Sequence, residues 1–112
     1  MAGKEDINQE IRQLAFYEVH EEAIPQVLAA IKEFVGYIRA NEPGTLRYEV
    51  WQERDHPARF AHIFVFRDAK ADQAHSESAE VKKFASILYP QCLEPVRFED
   101  YHQIASNIAS SL

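Results

Sequence analysis

Residues 41–66 read NEPGTLRYEVWQERDHPARFAHIFVF, and they decide the fold. Asn41-Glu42-Pro43-Gly44 stops whatever helix precedes it, because proline cannot continue a helix and glycine supplies the turn. Thr45 to Gln52 then reads as a strand, Arg54-Asp55-His56-Pro57 as a turn, and Arg59 to Phe66 as a second strand, so the two form a hairpin. In the second of these strands Phe60, Phe64 and Phe66 fall on one face and Ala61, Ile63 and Val65 on the other.

Upstream, Leu14 to His20 alternates and is rich in aromatic and branched residues, which predicts a strand. The period then lengthens. Ile24, Val27, Leu28, Ile31, Phe34, Val35 and Ile38 share one helical face, with Glu21 and Glu22 at its positive end and Pro25 in its first turn. Downstream, Asp68 is placed to cap a short helix through His75. Ser78 caps another, which buries Val81, Phe84, Ala85, Ile87 and Leu88 before Pro90 ends it. Pro95 to Tyr101 is a last strand. Residues 1–10 form a polar tail, 11–102 the domain, and 103–112 a second tail in which Ile104, Ile108 and Leu112 have the spacing of a short amphipathic helix. The order β-α-β-β-α-β is the ferredoxin-like pattern: α+β, with an antiparallel four-stranded sheet.

Two helical layers cover one face of such a sheet, and the other face should be polar. Here both are apolar near the middle, with Leu14 and Phe16 set against Ala15, Tyr17 and Val19, and with Leu46, Tyr48 and Val50 set against Trp51. The simplest cover is the same face of a second copy, so a homodimer through the sheet face is expected.

Composition narrows the function. The net charge of −6 is spread along the chain without a Lys/Arg stripe, so neither nucleic acid nor an anionic membrane is an expected partner. The single cysteine, Cys92, cannot staple a monomer and reads as a structural thiol. The polar start and the lack of a run near ~20 apolar residues lead to the expectation of a cytoplasmic protein.

Residues 42–50, EPGTLRYEV, resemble the EPGxxxY segment that opens the second strand of antibiotic biosynthesis monooxygenase domains. Phe66-Arg67-Asp68, followed by His75 and Ser78, resembles that family's strand end, acidic helix start, histidine and small polar residue. Val96-Arg97-Phe98 falls at its last strand, so the resemblance spans roughly residues 12 to 101. It implies a dimeric α/β barrel that oxidises a small aromatic, phenolic or quinol substrate with O2 and needs no cofactor. Many members carry Glu and Trp where Phe64 and Phe66 stand here. Haem-degrading relatives carry a histidine where Ala85 stands, so haem degradation is excluded. No Gly-rich nucleotide loop and no grouped metal ligands occur, and neither metal nor flavin is expected.

His75 is the candidate base, since an unperturbed imidazole has a pKa of about 6.5; the alternative is a helix cap. His62, set between phenylalanines, is a core residue or a pocket wall. Tyr17, Tyr48, Trp51, Phe64 and Ser78 complete the candidate substrate contacts, with Trp51 slightly better suited to anchoring the dimer. Glu18 and Glu49 would carry protons only if they point inward. Two other functions fit the same scaffold: an isomerase or other small-molecule enzyme, which for a phosphorylated substrate wants inward arginines such as Arg47 and Arg97, and a non-catalytic ligand-binding dimer.

Overall fold

The computed structural model describes residues 9–108. Strand β1 (Ile11–Glu18) is followed by a single 3-10 turn and helix α1 (Ile24–Asn41). The hairpin β2 (Thr45–Gln52) and β3 (Arg59–Phe66) comes next, then helices α2 (Ala69–Ser76) and α3 (Ala79–Leu88), and strand β4 (Arg97–Tyr101). All pairings are antiparallel and the sheet order is β2-β3-β1-β4, so β1 and β3 are the central strands of a ferredoxin-like α+β fold. The first strand starts three residues earlier than the alternation indicated. The last starts two residues later, because Pro95 lacks the N–H a ladder needs.

Period two settles the faces. Ala15 and Tyr17 of β1 and Phe60, His62, Phe64 and Phe66 of β3 are buried beneath the helices. Helix α1 sets Val27, Ile31, Phe34 and Ile38 against them, and Phe34 stacks on Phe84 of α3 with ring centroids 4.5 Å apart. A bulge between Thr45 and Arg47 takes Leu46 out of the row expected with Tyr48 and Val50, and Leu46 is half exposed.

Asp68 and Ser78 cap α2 and α3 as expected, accepting from the backbone N–H groups of Ala71 and Val81 at 2.9 and 3.1 Å. The part of the C-terminal segment that is described, through residue 108, has no helical turn and leaves Ile104 and Ile108 exposed; Leu112 lies outside the described residues. Residues 1–8 of the N-terminal tail lie outside them too. Among the described residues, no helix is long and apolar enough to cross a membrane.

Gly44 has a role other than the turn read from the sequence. Its φ is not positive. A Cβ added there would lie 2.6 Å from the Cβ of Ala71, so glycine is what lets α2 close over the start of β2. Gly44→Ala must push α2 away from the sheet. The expected cost is about 1–3 kcal/mol, as for other overpacked sites, read as a lower denaturation midpoint; a midpoint equal to that of the parent would refute the close-approach role.

Candidate functional site

Between the inner face of the sheet and the three helices lies a cavity of about 180 Å3. Tyr17, Tyr48, His62, Phe64 and His75, all expected from the sequence, line it, together with Phe34, Phe66 and Phe84. Two of the candidate contacts lie elsewhere. Trp51 pairs with Ala61 on the opposite face of the sheet, where it is 57% exposed, because odd residues of β2 point away from the helices. Ser78 spends its hydroxyl on the cap of α3, and the neighbouring Ser76 lines the cavity instead. Glu18 and Glu49 bond to Arg59 and Arg47 and carry no proton inward.

His75 sits in the last turn of α2, which Asp68 starts and Gly44 lets approach. Its ring is buried among Phe34, Tyr48 and Phe66, with centroids 5.0–5.8 Å away. Nδ1 lies 2.8 Å from Glu42 Oε1, which also accepts from the Thr45 hydroxyl at 2.7 Å. An ionised carboxylate only accepts, so Nδ1 carries a proton in this contact, and whenever the ring is neutral Nε2 is the bare nitrogen. Nε2 has no partner among the described residues. His75 is therefore more than a helix cap: it is an oriented imidazole on a cavity wall.

Glu42 was missed as a site residue, because it read as part of the helix stop. One signal could have found it. It terminates α1, where the negative end of the helix dipole disfavours a carboxylate, so its presence there calls for a partner. Its Oε2 is buried without a hydrogen bond.

The second histidine is held differently. The Tyr17 hydroxyl lies 2.7 Å from His62 Nε2 and the Tyr48 hydroxyl 2.9 Å from Nδ1. Burial pushes the His62 pKa down to about 4, and raises those of both tyrosines far above the usual phenol value. His62 is thus neutral and both hydroxyls keep their protons at neutral pH. Elsewhere His20, His56 and His102 are exposed. Burial also raises the thiol pKa of Cys92, the opposite of what a nucleophile needs. Among the described residues no group of three or more His, Cys, Asp or Glu could hold a metal.

The His62 shift has a consequence for stability. The unfolded imidazole binds its proton near pH 6.5, the folded one near 4. Between those values the unfolded state holds more protons, so this contribution is complete above about pH 6.5 and is lost as pH falls toward 4, on the order of 3 kcal/mol in all. Denaturant midpoints measured across this window should fall with acidification, and His62→Gln should flatten the slope; an unchanged slope would count against a neutral buried His62.

The architecture and the family agree. A family model described as antibiotic biosynthesis monooxygenase matches residues 10–86, from β1 into α3. Among solved structures, a Bacteroides thetaiotaomicron protein named for that family superposes with a TM-score of 0.83 at 17% identity, over 91% of this chain and 96% of its own. A further antibiotic biosynthesis monooxygenase superposes at 0.79 and 20% identity, over 85% and 99%. Protein SO0527 of Shewanella oneidensis superposes at 0.75 and 27% identity, over 86% and 92%. None of the curated proteins matches the chain. With the family model spanning most of the domain, and with the sheet order and helices of the fold in agreement, the chain belongs to the antibiotic biosynthesis monooxygenase family.

Proposed function

We propose that this protein is a cofactor-independent monooxygenase that oxidises a small phenolic or quinol ring with O2. The observation that carries the reading is His75, oriented by Glu42 at 2.8 Å and facing an aromatic cavity of about 180 Å3. A dry apolar cavity of roughly 150 Å3 suffices for benzene, so one substituted ring fits.

His75 Nε2 takes the phenol proton, and the resulting anion is electron-rich enough to reduce O2 directly. A ring carbon forms a C–O bond to dioxygen, giving a peroxide that the His75 imidazolium protonates. Loss of the proton from that carbon and of hydroxide across the O–O bond leaves a carbonyl. Substrate plus O2 becomes quinone plus water, with four electrons passing from substrate to O2. The aromatic walls exclude water from the anion, and Glu42 stabilises the imidazolium while it exists.

The isomerase alternative has less support. Arg47 pairs with Glu49, and Arg97 lies over the Phe16 ring, both on the outer face, so no arginine converges on the cavity. A non-catalytic binder would have no use for the oriented base.

The same outer face supports the homodimer, and with it the barrel. Leu14, Phe16, Ile63 and Trp51 lie there, and among the described residues no helix stands above them. The Arg47–Glu49 and Arg97–Glu99 pairs neutralise its charges within the chain. A second copy related by a two-fold axis is the occupant.

The test of function is O2 consumption with a panel of phenols and quinols and no added flavin or metal. His75→Ala should slow turnover by about 10^2 or more, and Glu42→Gln should slow it less. A fully active His75→Ala variant would end the proposal. Sedimentation should show a dimer that Ile63→Glu dissociates or aggregates, since like charges buried across a two-fold axis cost several kcal/mol; a parent protein of only 12.9 kDa in solution would exclude the dimer.

A further inference from the structure

Tyr17, His62 and Tyr48 form a buried group whose protons outnumber its hydrogen bonds. His62 bonds one hydroxyl at each ring nitrogen, at 2.7 and 2.9 Å, and neither hydroxyl has another partner among the described residues. A neutral imidazole has one N–H and one bare nitrogen. The group therefore holds three protons, two phenolic and one on the ring, and makes two hydrogen bonds. In one tautomer Nδ1–H donates to the Tyr48 oxygen, the Tyr17 O–H donates to Nε2, and the Tyr48 proton is left over. In the other the Tyr17 proton is left over. The unspent proton is always a phenolic O–H, and both phenol rings line the cavity.

Of the remaining polar side chains on that wall, His75, Tyr89 and Asp72 make no hydrogen bond to either phenol among the described residues. Gln13 donates to Asp100 at 2.7 Å and Ser76 to Asp72 at 3.2 Å. The unspent phenol is a donor in surroundings that otherwise offer it mainly aromatic carbon, and leaving a buried donor unpaired is unfavourable. We propose that the Tyr17–His62–Tyr48 group supplies the cavity with one phenolic O–H donor and thereby selects rings that carry an acceptor oxygen in addition to the hydroxyl facing His75. This rests on the ring-oxidising reading above and narrows its substrate to rings with two oxygen substituents. His62 is a positioning residue here: its tautomer decides which tyrosine presents the proton.

The test is binding, not turnover. Phenol and the three benzenediols are titrated calorimetrically into the intact protein under anaerobic conditions. At least one diol should bind about tenfold more tightly than phenol, as one added hydrogen bond allows. Either Tyr48→Phe or Tyr17→Phe should bring that ratio to about one while the other leaves it, which identifies the tautomer. In the tautomer with Nδ1–H, Tyr48→Phe leaves the unspent proton on Nδ1, which lies 2.9 Å from the position of the lost hydroxyl oxygen. Diols no tighter than phenol, or a preference that survives both substitutions, would overturn this inference and leave the ring-binding reading standing. Failure of all four compounds to bind would overturn both. Should a tyrosine variant unfold, the wild type still decides: nitrogen NMR shifts of His62 near neutral pH must report one protonated and one bare nitrogen, and an imidazolium would refute the proton count.

Discussion

The row Phe60, His62, Phe64 and Phe66 on one face of β3 is the constraint from which the rest of the molecule follows. β3 is a central strand, paired with β1 on one side and β2 on the other. Its register sets Phe60 opposite Tyr17 and Gln52, and Phe64 opposite Gln13 and Tyr48. A slip of one residue would turn the aromatic row outward and bring Ala61 and Ile63 under the helices. The core against α1, the floor of the cavity and the clamp on His62 would be lost together.

The cavity is made of the same aromatic residues that stabilise the fold, so stability and chemistry share one environment. Burial favours neutral groups there, and two histidines respond in different ways. His62 has a hydroxyl at each nitrogen and no carboxylate partner, so desolvation prevails and it stays neutral. His75 has a carboxylate at Nδ1, which can stabilise the charge it acquires as a base. One histidine distributes hydrogen bonds while the other is equipped to move a proton. Glu42 joins the site to the backbone. It ends α1, it bonds Thr45 at the start of β2, and two residues later Gly44 lets α2 bring His75 to it.

The outer face follows from the same alternation. With β1 and β3 both central and helices on one side only, Leu14, Phe16 and Ile63 must face outward, and local Arg–Glu pairs leave them as an apolar centre with a neutralised rim.

What could be read from the chain alone was whatever depends on near neighbours in sequence. Periods of 2 and 3.6, the Glu42-Pro43-Gly44 stop, and the caps at Asp68 and Ser78 act within a few residues, and they determined every strand, every helix and their order. The EPG and His75 segments added the family. Which residues form the site was only partly legible, because it depends on contacts distant in sequence. Glu42 meets His75 across 33 positions and Tyr17 meets His62 across 45. Trp51 suited a ligand or the dimer until strand pairing placed it on the face opposite Tyr48, and Ser78 suited the site although its hydroxyl accepts from a backbone N–H. A periodic pattern states that alternate residues share a face, but not which face the helices cover. Only packing in three dimensions decides that, because burying one face is a property of the whole sheet and not of any single strand.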